Sequence, residues 1–120
     1  MSQLVTPAVL IPRFTSIVGS PQTFLTLPID VSAYEKGQLT IWRGPLVGSA
    51  PIVSFSFLES TDRNVWSLVP STSPDDPGAD NETQYLLELT KRWLRVNIQV
   101  GGTNAGMTCW IQGFFLNREE

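Results

Sequence analysis

The stretch WLRVNIQVGGTNAGMTCWIQGFF, Trp93 to Phe115, decides the fold. Leu94, Val96, Ile98 and Val100 alternate with Arg95, Asn97 and Gln99. Further on, Thr108, Trp110, Gln112 and Phe114 alternate with Met107, Cys109, Ile111 and Phe115. Successive side chains of a strand point to opposite faces, so a period of two marks half-buried antiparallel strands. Between the two runs lies GGTNAG, residues 101–106. Gly and Asn tolerate positive φ, which predicts a turn joining two strands.

The same period extends outward. Val53, Phe55 and Phe57 alternate with Ser54 and Ser56, and further strands are expected at 14–18, 23–27, 38–43, 66–69 and 84–89. The segments GSPQ, EKG, RGPLVGSAP, STDRN and PSTSPDDPGADNE separate them as turns. About eight short strands with such punctuation predict an all-β, antiparallel sandwich of jelly-roll type. Its expected core is Phe55, Phe57, Leu87, Leu94, Val96, Ile98, Trp110 and Phe114. The one helix-like piece is DVSAYEK, where Asp30 could cap a short turn. With 120 residues and no internal repeat, the chain fits one domain, residues 15–120, preceded by an extended arm, residues 1–14.

In that arm Leu4, Val5, Val9, Leu10, Ile11 and Phe14 are large and apolar, while Pro7 and Pro12 forbid a continuous helix. Extended, its eleven residues from Leu4 to Phe14 span roughly 35 Å, more than the radius of the domain, so the arm is expected to dock on an adjacent subunit or a particle shell. Trp42 with Arg43, at the end of a strand, and Trp93, beside Arg92 and Arg95, are further candidates for a contact surface. Interfaces favour Trp and Arg.

Composition narrows the function. Charged residues are 16% of the chain, so much of its surface must be neutral or apolar, which suits contact with other proteins. A net charge of -3 and scattered basic residues argue against a nucleic-acid partner. No apolar run is long enough to span a membrane. The N-terminus lacks the basic region of a signal peptide, which predicts an unprocessed cytosolic product. The single cysteine, Cys109, agrees with a reducing compartment.

Histidine is absent altogether, which removes the commonest general base and the His-based nucleophilic and metal sites. Glu59 and Asp62 could in principle pair for catalysis. They are expected to be solvated on a hairpin turn, without the raised pKa that a general acid needs. Asp75, Asp76, Asp80 and Glu82 raise the alternative of calcium, but their spacing does not match the D-x-[DN]-x-[DN]-G pattern. A solvated loop is the simpler expectation. Catalytic, cofactor and metal sites are therefore all expected to be absent, as is a small-molecule substrate.

A strand followed by Glu59-Ser60-x-Asp62 and then Trp66, together with the close KRWLRVNIQVGGTNAGMTCWIQGFFLNR, resembles the small β-sandwich accessory proteins of tailed bacteriophage virions. Those are decoration or cement proteins and minor head or tail proteins, and the resemblance covers residues 51–118. It implies a non-enzymatic virion protein, made in the host cytoplasm, that stabilises a capsid or tail assembly through subunit interfaces. Its implied partners are the major capsid protein or other virion subunits and further copies of itself, a trimer being favoured. The alternative is a carbohydrate-binding β-sandwich module. That would show an exposed row of aromatic rings beside polar groups.

Overall fold

The computed structural model describes residues 5–18, 22–70 and 72–118. Leu4 of the candidate interface lies outside them. Eight strands form, and among the described residues there is no helix. They are β1 (Val5–Val18), β2 (Gln22–Leu25), β3 (Ile29–Asp30), β4 (Tyr34–Arg43), β5 (Val47–Ser60), β6 (Ser67–Leu68), β7 (Asn81–Glu88) and β8 (Trp93–Asn117).

All pairings are antiparallel, and β8 is the spine. Its first half lies between β5 and the short β2 and β3, and β6 extends β5. Its second half lies between β4 and β1, and β7 extends β4. The sheet curls on itself into two facing layers. Phe57 of one layer meets Tyr85 of the other edge-on, with ring centroids 5.5 Å apart. Turn 31–33 stitches the two ends of β8 together: Val31 N–H donates to the Arg92 carbonyl, and Arg118 N–H donates to that of Ala33.

The expected turn at 101–106 is not a reversal. β8 runs straight through it, because β5 continues to pair with it as far as Gly106 and β1 takes over from there. The permissive residues are used for a bulge instead. Gly102 (φ 114°) and Asn104 (φ 52°) are left-handed, and the register against β5 shifts there. A Cβ at Gly102 would stand 2.9 Å from the carbonyl oxygens of Ser49 and Ala50.

That bulge changes which face points inward. Before it, Leu94, Val96, Ile98 and Val100 are buried; after it, Ala105, Met107, Cys109, Ile111 and Phe115 are. Phe114, expected in the core, is therefore 52% exposed, and Phe115 takes its place against Tyr34. Phe55, Phe57, Leu87, Leu94, Val96 and Ile98 lie in the core as expected. Trp110 is buried too, but on the outer face and outside that core.

Two other expectations change. Asp30 caps no helix; its Oδ1 accepts the Ser32 N–H at 2.9 Å in a turn that leads directly into β4. The arm boundary expected after residue 14 falls inside β1, whose residues 5–11 pair with residues 116–111 of the same chain's β8. Pro7 is tolerated because β1 is an edge strand and its missing N–H can face the open side. The Cys109 thiol is fully buried, and burial pushes its pKa up to about 11, so it is a packing group and not a nucleophile.

Candidate contact surfaces

The ESTDRNVW hairpin is built of local hydrogen bonds. Ser60 Oγ accepts the N–H groups of Asp62 and Arg63, and Asp62 Oδ1 accepts those of Asn64 and Val65. Asp62 is exposed, as expected. Glu59 is not: it is 5% exposed and accepts a hydrogen bond from Thr90 Oγ1 at 3.0 Å, with Lys91 Nζ at 4.0 Å. The reason is parity. Residue 59 continues the inward series Phe55, Phe57 along β5.

Arg43 follows the same rule after Leu39 and Ile41, and it is 7% exposed. Its guanidinium grips Asp76 with two bonds, at 2.6 and 2.8 Å, and donates to the Gly44 carbonyl. The acidic loop is thereby anchored. Among the described residues no three acids converge to hold a metal ion.

Three carboxylates carry lowered pKa values. Asp30 is held at about 2, mainly by its hydrogen bonds to Ser32 and then by Arg92; Asp62 is lowered by the Val65 and Asn64 amides; Asp76 is lowered by Arg43. Folding therefore favours their ionised forms. Their contribution is complete above about pH 4 and is lost as pH falls from there through the folded values. The melting temperature is expected to hold from pH 7 to about pH 5 and to drop between about pH 4 and 2, less steeply in Asp30→Asn. A flat profile down to pH 2 would contradict these assignments.

The tryptophans all sit on outer faces, three of them beneath a guanidinium. Arg95 lies 4.0 Å from the Trp66 ring centroid, Arg63 4.5 Å and Arg92 5.2 Å from that of Trp93, and Arg13 4.5 Å from that of Trp110. Trp42 instead stacks on Trp110 and meets Phe14 edge-on.

The layer β1–β8–β4–β7 presents an outer face ordered in cross-strand rows. One row is Val5, Leu116, Lys36 and Glu88; the next is Pro7, Phe114, Gln38 and Leu86; the third is Val9, Gln112, Thr40 and Gln84. Only the first of these rows carries charge. Val5, Val9, Leu86 and Phe114 are each more than half exposed. Gln38 Nε2 donates to Gln84 Oε1 at 2.9 Å across the strands.

Of the interface candidates, Val5, Val9, Phe14 and Trp42 lie on this face. Leu10 packs half-buried against the core, while Ile11 and Arg43 are taken up inside the domain. Trp93 stands apart, on the other layer. Phe114 escaped the sequence because nothing in it reports the parity change in β8, and Leu86 because its strand alone does not show which others share its face.

The sequence matches no protein-family model and no curated protein. Its fold, however, recurs in solved structures. Over 96% of this chain it superposes on a third (33%) of a chain of the infectious bursal disease virus VP2 subviral particle, with a TM-score of 0.59 and 9% identity. It covers 98% of this chain and 96% of the SPBc2 prophage-derived protein YomS at a TM-score of 0.58 and 9% identity. A chain of the disulfide-linked pili that form Bacillus endospore appendages matches 99% of this chain and 93% of its own length, at 0.53 and 10% identity. The likeness is one of fold: an antiparallel β-sandwich also built by a virus-particle protein, a prophage protein and a pilus protein.

Proposed function

We propose that this chain is a non-enzymatic structural protein of a virion, of the decoration, cement or minor capsid kind, that acts by binding neighbouring subunits. The observation that carries this reading is the outer face of the β1–β8–β4–β7 layer. Twelve positions in three rows hold Val5, Pro7, Val9, Leu86, Phe114 and Leu116 among neutral Gln and Thr, with one Lys–Glu pair at the rim. Large exposed patches of this kind mark interaction sites. At strand spacings, the face measures about 400 Å². Two such faces would bury about 800 Å², the size of a weak contact taken singly, which repetition in a particle multiplies through avidity.

The expected route to oligomers was the arm. With residues 5–18 paired at home, the face takes over that role, and copies of the chain or a capsid subunit are its partners. No reaction is assigned. Glu59 is committed to Thr90 and Lys91, and Asp62 has a lowered pKa where a general acid needs a raised one.

Sedimentation velocity of the purified chain, alone and mixed with particles from its source, tests the proposal. The wild type should self-associate or travel with the particles. The double variant Leu86→Lys, Phe114→Lys should do neither, at an unchanged melting temperature. A wild-type chain that stays a 13.3 kDa monomer and ignores the particles would overturn it.

A further inference from the structure

The fourth row of that outer face is interrupted by a bulge. Between Ile11, opposite Ile111, and Thr15, opposite Cys109, β1 carries three residues against the single Trp110. The extra residues re-aim two side chains, as bulges at sheet edges do. Arg13 swings over the Trp110 ring, and Phe14 turns its ring to stand at 79° to Trp42, centroids 6.1 Å apart. Phe14 does so at φ 61°, a left-handed backbone that is unfavourable for a bulky side chain. Its ring is nevertheless 70% exposed, so the conformation is not explained by burial in the core.

Across from this corner stand Asp80, at the end of a turn and also left-handed, and the first two residues of β7, Asn81 and Glu82. Two backbone bonds fix this wall: Asp80 N–H to the Arg43 carbonyl at 2.7 Å, and Asn81 N–H to that of Gly78 at 3.3 Å. The two walls and the Trp42–Trp110 pair line an open recess of about 530 Å³. Asp80 and Glu82 form no ion pair among the described residues.

We propose that this recess binds a neutral saccharide, a function independent of the assembly face. A pyranose has an apolar C–H face and a rim of hydroxyls. Aromatic rings set at a corner suit the first, and a row of carboxylate, carboxamide and carboxylate can accept from and donate to the second. The volume fits a small ligand, and the mix of apolar walls with a few converging polar groups is that of a ligand site. Charge selects among sugars: the lining carries two carboxylates, Asp80 and Glu82, against one guanidinium, Arg13, which disfavours a uronate or a sulfated sugar even though Arg43 behind Asp80 offsets part of that charge.

Titration of the full chain with maltohexaose, cellohexaose and chitohexaose, and with an oligogalacturonate, tests the assignment by calorimetry and by tryptophan fluorescence. At least one neutral oligomer should bind and the oligogalacturonate should not. Phe14→Gly relieves the left-handed backbone, so it should keep or raise the melting temperature while weakening binding at least about tenfold, and Asn81→Ala should weaken it similarly. Leu86→Lys should leave it unchanged, which separates this site from the assembly face. Failure of all three neutral oligomers, equal binding of the oligogalacturonate, or full binding by Phe14→Gly would each overturn the proposal.

Discussion

Chemical denaturation of Phe57→Ala is expected to show a loss of about 3–5 kcal/mol against the wild type. Phe57 is 1% exposed, pairs in register with Val96, and meets Tyr85 from the opposite layer. Truncation therefore opens a cavity between the layers that neither sheet can close without moving its backbone. Phe55, 5% exposed on the same face, should behave alike. The informative contrast is Phe114→Ala, which removes a ring from the outer face and should change stability by no more than about 0.5 kcal/mol. Should Phe114→Ala cost several kcal/mol and Phe57→Ala less than 1, the inward and outward faces would be assigned the wrong way round.

Asp76→Ala carries the second large effect. It leaves the Arg43 guanidinium, with a side chain 8% exposed, a single hydrogen-bond acceptor among the described residues, the Gly44 carbonyl. Breaking a fully buried pair costs about 3–5 kcal/mol, and here water can reach the 37%-exposed Asp76 side, so about 2–3 kcal/mol is expected. Arg43→Leu in the same chain should recover part of that loss, because no buried charge then remains unpaired. If Asp76→Ala proved neutral, or if the two substitutions simply added, the pair would not anchor the acidic loop.

Much of the fold was legible because one rule governs most of it. The alternations at residues 53–57 and 94–100 name the core face directly, and the antiparallel sandwich follows. The failures come from two places where a bulge breaks that rule. GGTNAG has the residues of a turn, but the same left-handed tolerance serves a bulge when partner strands continue on both sides. Only the pairing of residues 47–52 with 101–106 decides between them, and pairing is a long-range property. The second is the bulge at Pro12–Phe14, where the sequence shows a proline and two large side chains but not that they stand opposite Trp110.

The buried charges were more accessible than they looked. Arg43 continues Leu39 and Ile41 at period two, and Glu59 continues Phe55 and Phe57, so each occupies an inward position. A charge there demands a partner. That demand points from Arg43 to the acidic loop and from Glu59 to a donor such as Thr90 or Lys91. The contact face was the least legible part. Val5, Leu86 and Phe114 come from three separate strands, and no short window of sequence contains them together.

The central claim is that the outer face of the β1–β8–β4–β7 layer joins this protein to a particle. Electron cryo-microscopy of the intact particle from the protein's source tests that most directly. The expected map shows the sandwich with Val5, Leu86 and Phe114 pressed against a neighbouring subunit. A map in which that face stands free in solvent while another surface makes the contacts would contradict it, as would a particle without this chain.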